Sequence, residues 1–65
     1  MNVNKLKGKV VENGLNDKKM SEKLGFFTST WHRKLKNSGF TITEAAKIKE
    51  ILSLSDEDAV DIFLR

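Results

Sequence analysis

The sequence predicts a single all-α domain, and three observations indicate this fold class. A chain of 65 residues has room for one small core, because a domain of this length buries only about 60% of the surface that its unfolded chain exposes. Apolar residues recur at helical spacing, and no stretch alternates apolar and polar residues for long enough to indicate a strand. Proline is absent, and Gly14, Gly25 and Gly39 separate the apolar segments. We therefore expect one domain over residues 1–65, built from five short helices.

The first predicted helix covers about Asn4–Asn13. Val3, Leu6 and Val10 follow one another at three and four residues, which is the spacing of one helical face. Gly14 comes directly after this segment and is expected to end the helix.

The second and third predicted helices are separated by a tight turn. Asn16 is placed to cap the second helix, which extends to Leu24 and ends at Gly25. The third helix covers about Thr28–Lys36, so that only Gly25-Phe26-Phe27 joins the two. This spacing is typical of a helix-turn-helix, although other helical hairpins share it. The side chains expected to face the core from the second helix are Met20, Ser21 and Leu24.

The third predicted helix has two different faces. At 100° per residue, Phe27, Trp31 and Leu35 lie within about 80° of one another and form an apolar face. The polar residues on the other side are Ser29, His32, Arg33 and Lys36, with Thr28 and Thr30 at the flanks. A helix that reads a DNA groove needs this division, although an ordinary solvated helix would also show it. We place Trp31 in the core, rather than on a surface where it would stack on single-stranded bases.

The polar face of the third helix contains groups suited to base edges and phosphates. Arg33 is the best candidate for sequence reading, because its guanidinium fork matches the O6 and N7 acceptors of guanine. Thr28 and Ser29 are near enough to the helix start to reach bases or phosphates. His32 can donate or accept a hydrogen bond, and Lys36 is suited to a phosphate.

The fourth and fifth predicted helices have clear starts. Thr41-Ile42-Thr43-Glu44 has capping-box spacing. Ser55 precedes the acids of residues 56–58, which suit the positive end of a helix dipole. We prefer this explanation of the acids to a metal site. The residues expected on the apolar faces of the two helices are Ala45, Ile48 and Leu52, then Ala59, Val60, Ile62 and Phe63.

Charge is divided unevenly along the chain. Residues 1–40 contain nine lysines and arginines but only three acidic residues. Residues 41–65 contain three lysines and arginines but six acidic residues. This asymmetry favours a polyanion as the partner of the first half, although an unevenly charged solvated surface is the alternative. Cysteine is absent, no metal site or catalytic constellation is recognisable, and His32 is the single histidine. We expect a cytoplasmic, non-enzymatic protein with no cofactor, metal, small-molecule ligand or membrane partner.

Residues 14–33 resemble the Cro/cI-like (XRE) helix-turn-helix family. The matching segment is Gly14-Leu15-Asn16-Asp17-Lys18-Lys19-Met20-Ser21-Glu22-Lys23-Leu24-Gly25-Phe26-Phe27-Thr28-Ser29-Thr30-Trp31-His32-Arg33. Phe40 to Ile48 and Leu52 to Ser55 are similar to the fourth helix of that family and the start of its fifth. The chain is most similar to short Cro-type regulators of Gram-positive phages and prophages. Three residues depart from the pattern: Asp17 stands where glutamine is common, Ser21 where alanine is usual, and Phe27 where a small polar cap is expected.

The resemblance implies a five-helix lambda-repressor-like fold that binds operator DNA, often as a homodimer on a near-palindrome. The family's base-contacting positions fall on Thr28, Ser29, His32 and Arg33. Its phosphate-contacting positions fall on Asn16, Lys36, Asn37, Ser38 and Thr41. The backbone N–H groups that open the fourth helix would also suit a phosphate oxygen. A carboxylate is repelled by phosphate, so Asp17 is left out of this set.

Two function classes follow from the sequence. The leading hypothesis is a sequence-specific regulator of transcription that binds double-stranded DNA, with phosphate contacts supplying affinity and the third helix supplying specificity. The alternative is a protein-binding module with the same fold, such as an antirepressor. It is favoured if Val60, Ile62, Phe63 and Leu64 exceed what one core can bury. These four side chains would otherwise close the core beneath the first helix.

Overall fold

The computed structural model describes residues 1–37 and 39–64, and these residues form five helices without a strand. The helices are α1 (Val3–Glu12), α2 (Asp17–Leu24), α3 (Thr28–Asn37), α4 (Ile42–Ile51) and α5 (Asp56–Phe63). The prediction of an all-α chain with five helices is confirmed. The predicted bounds agree to within one residue for α1 and α3. None of the helices in the described part of the chain is long and apolar enough to cross a membrane.

Four of the helices begin with a polar side chain that accepts a hydrogen bond from a backbone N–H three residues later. The capping residues are Asn2, Asn16, Thr41 and Ser55. The predicted caps at Asn16 and Ser55 are confirmed, as is the capping box at α4. There the Glu44 N–H donates to Thr41 Oγ1 over 3.1 Å, and the Thr41 N–H donates to Glu44 Oε1 over 2.9 Å. Such a cap typically stabilises a helix by about 1 kcal/mol.

Trp31 is the largest of the fully buried side chains, and the core is built around it. Phe40 packs on its indole with the ring centroids 5.4 Å apart, and Phe63 lies edge-on to Phe40 at 6.4 Å. The buried apolar residues are Leu6, Val10, Met20, Leu24, Trp31, Leu35, Ile48, Leu52, Leu54 and Ile62. The placement of Trp31 in the core is therefore confirmed.

The predicted burial of Phe27 is wrong, since this side chain is 83% exposed. Phe27 precedes α3, and its carbonyl accepts the hydrogen bond of the Trp31 N–H. Helical phase describes side-chain directions only for residues within the helix, so extending it backwards to Phe27 fails. Phe26 instead packs against the core from the turn, and Phe40 contributes an aromatic ring from beyond α3.

α5 lies against α1 through ion pairs and one backbone hydrogen bond. Lys5 Nζ is 3.1 Å from Asp58 Oδ1 and 2.9 Å from Asp61 Oδ2, and Lys9 Nζ is 3.3 Å from Asp58 Oδ2. The Asn2 N–H donates to the Ile62 carbonyl over 2.7 Å. Asp58 therefore has ion-pair partners in α1, which the sequence did not predict. The acids of residues 56–58 lie in the first turn of α5, as expected for the positive end of a helix dipole.

The apolar residues at the end of the chain are only partly absorbed by the core. Ile62 is fully buried and Phe63 packs against the core, whereas Val60 is 37% exposed and Leu64 is 78% exposed. Ile62 and Phe63 thus close the core as one interpretation expects, whereas Val60 and Leu64 present apolar side chains to solvent; a contact with a partner stays a prediction.

Candidate nucleic-acid interface

The turn between α2 and α3 is held by backbone and side-chain hydrogen bonds. Gly25 has φ 76°, a left-handed conformation that glycine adopts at low cost. The Phe26 N–H then donates to the Ser21 carbonyl over 2.8 Å. Ser21 is buried, and its hydroxyl lies 3.3 Å from Thr28 Oγ1 and donates to the Lys18 carbonyl over 2.7 Å. The buried hydroxyl of Ser21 therefore has its hydrogen bonds satisfied and links α2 to the start of α3.

α3 presents one buried and one exposed face. Trp31 and Leu35 are buried. The predicted base-contacting residues are all exposed: Thr28, Ser29, His32 and Arg33. Lys36 and Asn37 continue the exposed face at the end of the helix. Thr30, at the edge of this face, is half-buried. The structure thus brings the predicted polar residues of α3 together on the surface.

Asp17 joins α2 to α3 through side-chain hydrogen bonds that the sequence did not predict. Its Oδ1 accepts a hydrogen bond from Trp31 Nε1 over 2.9 Å, and its Oδ2 lies 3.0 Å from His32 Nε2. The hydrogen bond from the Trp31 indole is the main reason that the pKa of Asp17 lies below its usual value, and the bond to His32 and the charge of Lys7 act in the same direction. The Asp17 carboxylate therefore makes its hydrogen bonds within the domain, between α2 and α3.

A shallow depression of about 470 Å³ lies beside this carboxylate, between α1, α2 and α3. Lys7 and Lys36 line it together with Asp17 and His32. Lys7 is an exposed cation on α1 that the sequence did not single out, because its place beside α3 depends on how the helices pack. It adds a positive charge next to the proposed DNA-facing side of α3.

The predicted phosphate-contacting residues have different surroundings. Asn16 is exposed, and its Oδ1 accepts a hydrogen bond from the Lys19 N–H over 2.8 Å. The hydroxyl and N–H of Thr41 are both used within the capping box of α4, so this N–H is not open to a phosphate. Ser38 lies outside the described residues.

The start of α4 also holds a carboxylate in place. Lys34 Nζ is 3.2 Å from Glu44 Oε1 and 5.4 Å from the centre of the Phe26 ring. The pKa of Glu44 lies below its usual value, chiefly because the Thr41 N–H donates to it and also because Lys34 is near. Lys34 thus connects α3 to the turn and to α4, and its role is structural.

Within residues 1–37 and 39–64, no three histidine, cysteine or acidic side chains are grouped closely enough to hold a metal ion. Comparison of the chain with protein-family models, curated proteins and solved structures finds no match.

We expect the protein to lose stability in acid. The pKa values of Asp17, Glu44 and Asp58 are all lowered in the folded state, that of Asp58 chiefly by the hydrogen bond from Lys5 and then by that from Lys9. A lowered pKa contributes stability above the unfolded value of about 4, and this stability is lost as pH falls through the folded value. The melting temperature, followed by circular dichroism, should fall between pH 5 and pH 2.5.

The variant Asp58→Asn should flatten this pH dependence, because it removes one of the three carboxylates. Glu57→Gln, in the same turn, is the control for losing one negative charge. A melting temperature that stays constant between pH 5 and pH 2.5 would contradict the expectation.

Proposed function

We propose that this protein is a sequence-specific regulator of transcription that binds double-stranded DNA through α2, the glycine turn and α3. The observation that carries the proposal is the division of α3 into two faces. Trp31 and Leu35 fix the helix to the core, whereas Ser29, His32 and Arg33 are exposed together. In a helix-turn-helix protein, the second helix enters the major groove with such a face toward the bases. The sequence resemblance to Cro-type regulators supports the same interpretation, including a lambda-repressor-like arrangement of the five helices.

In the proposed complex, different residues supply affinity and specificity. Lys7, Lys36 and the exposed Asn37 surround α3 with groups suited to phosphate oxygens. Neutralising phosphates releases counterions, so the affinity should fall steeply as salt increases. Arg33 reads a guanine through its two parallel N–H donors. Occupying an operator would then exclude polymerase, as expected of a Cro-type repressor from a phage or prophage.

The proposal includes two copies of the protein on a near-palindromic site. A single α3 covers only a few base pairs, so useful specificity requires a second unit. The two half-sites should then lie about one helical turn, roughly 34 Å, apart.

The test is an NMR titration of the ¹⁵N-labelled protein with short duplex DNA at low and moderate salt. We expect salt-sensitive amide shifts at Asn16 and from Thr28 to Lys36, with smaller changes on the far side of the domain. The control is a titration with one strand of the same duplex alone, which should give smaller amide shifts. If α3 does not respond even at low salt, the proposed function is wrong.

The second candidate function is a protein-binding module, and one observation favours it. An apolar groove of about 410 Å³ lies between α4 and α5. Ala45 and Ala59 line it, and the exposed side chains of Ile42, Val60 and Leu64 border it. Exposed apolar patches commonly mark protein contacts. If this candidate is correct, the amide shifts of α3 should not change when DNA is added in the same titration.

A further inference from the structure

Asp17 accepts hydrogen bonds from two consecutive residues of α3. Oδ1 faces Trp31 Nε1 at 2.9 Å, and Oδ2 faces His32 Nε2 at 3.0 Å. An ionised carboxylate only accepts hydrogen bonds, and an indole N–H only donates. The hydrogen bond that lowers the pKa of Asp17 keeps this carboxyl group ionised at neutral pH. His32 Nε2 must therefore carry a proton, since otherwise two acceptors would face each other.

This arrangement determines what His32 can offer to another molecule. In a neutral imidazole, one ring nitrogen donates and the other accepts. With the proton on Nε2, Nδ1 is the acceptor. In the described part of the chain, Nδ1 has no hydrogen-bond partner, and the side chain is 56% exposed. The neutral His32 ring thus presents an acceptor on the surface of α3.

We propose that Asp17 is a positioning residue that makes His32 select, on the DNA strand it faces, a base with an exocyclic amine on its major-groove edge. In that groove the hydrogen-bond donors on base edges are the N4 amine of cytosine and the N6 amine of adenine. Guanine and thymine present only hydrogen-bond acceptors on this edge, so an accepting Nδ1 disfavours both bases at the position that His32 faces. This inference rests on the proposed function, because it requires α3 to lie in the major groove.

One substitution reverses the expected donor and acceptor pattern without changing the size of the side chain. In Asp17→Asn, the amide oxygen can still accept from Trp31 Nε1. The indole cannot accept, so it holds the amide with its oxygen toward Trp31 and its NH₂ group toward His32. The NH₂ group then donates to Nε2, which moves the proton of the neutral ring to Nδ1. Nδ1 of His32 then becomes a donor, which suits guanine O6 or N7 and thymine O4.

The first stage of the test uses the free protein and measures the ¹⁵N chemical shifts of the imidazole at pH 8, above the range in which imidazoles usually titrate. We expect the protonated nitrogen to be Nε2 in the wild type and Nδ1 in Asp17→Asn. Glu22→Gln is the matched control, because it removes one exposed acid from the same helix, and it should keep the wild-type pattern. The same tautomer in the wild type and Asp17→Asn would overturn the inference.

The second stage, also at pH 8 so that the imidazole is neutral, selects duplexes from a pool with randomised base pairs, using the wild type, Asp17→Asn, Glu22→Gln and His32→Ala. We expect one position at which the wild type and Glu22→Gln prefer adenine or cytosine. At the same position Asp17→Asn should prefer guanine or thymine, and His32→Ala should have no preference. A single hydrogen bond corresponds to a preference of roughly three- to tenfold. Charge removal alone would strengthen binding to all sequences equally.

The outcomes separate this inference from the proposed function. If the wild type and Asp17→Asn select duplexes with the same base preference, only the inference is wrong. If no protein retains a duplex although the imidazole shifts change as expected, the proposed function has failed and the base-reading role of His32 fails with it.

Discussion

Replacing Trp31 by alanine should unfold most of the protein. Its side chain is fully buried and packs against Phe40. Truncating a buried aromatic residue of this size costs about 3–5 kcal/mol. A domain of this length has a total stability of about 3–10 kcal/mol, so the loss is comparable to the whole. Urea denaturation followed by far-ultraviolet circular dichroism would measure the change in the free energy of unfolding.

Two variants control this prediction. Phe27→Ala removes an aromatic ring that borders the same helix but is exposed, so stability should change by less than about 0.5 kcal/mol. Trp31→Phe keeps a ring in the core but loses the hydrogen bond to Asp17, and its stability should lie between those of the wild type and Trp31→Ala. A Trp31→Ala protein that is well folded but no longer binds nucleic acid would contradict the expectation and would indicate base stacking.

Replacing Arg33 by alanine should weaken binding to the preferred operator by about 1–3 kcal/mol and relax specificity at one base pair. Arg33 is exposed on α3, so its truncation should leave the fold intact. Binding to the preferred duplex and to duplexes altered at single positions would be measured by fluorescence anisotropy at one fixed salt concentration.

Lys36→Ala is the matched control for Arg33→Ala. It removes a positive charge from the same exposed side of α3, and as a phosphate contact it should weaken binding to all duplexes equally and reduce the salt dependence. If Arg33→Ala has this uniform effect instead, Arg33 contacts phosphate, and the assignment of this residue to base reading is wrong.

Most local features of the fold could be predicted from the sequence, because they depend on neighbouring residues. The caps at Asn16, Thr41 and Ser55 and the helix end at Gly25 are short-range signals, and all four are confirmed. The phase of Trp31 within α3 likewise placed it in the core. Phe27 was misplaced because helical phase was extended one residue beyond the helix start.

Features that depend on packing between helices could not be predicted. Asp17 meets Trp31 and His32 across fourteen and fifteen residues, and no local pattern pairs them. The position of Lys7 beside α3 and the contact of Phe40 with Trp31 are of the same kind. For the candidate site, the exposure of the polar residues on α3 agrees with the prediction. Binding of this surface to DNA stays a prediction.

The contact between α1 and α5 has a consequence for the order in which the domain folds. Lys5 and Asp61 are 56 residues apart in the chain, and closing a loop of that length costs about 3.6 kcal/mol in chain entropy, apart from a constant. The contacts of α2 with α3 span far shorter loops and can form first. We infer that the contact between α1 and α5 forms after that between α2 and α3. The surface proposed to read DNA would then belong to the part of the fold that forms early.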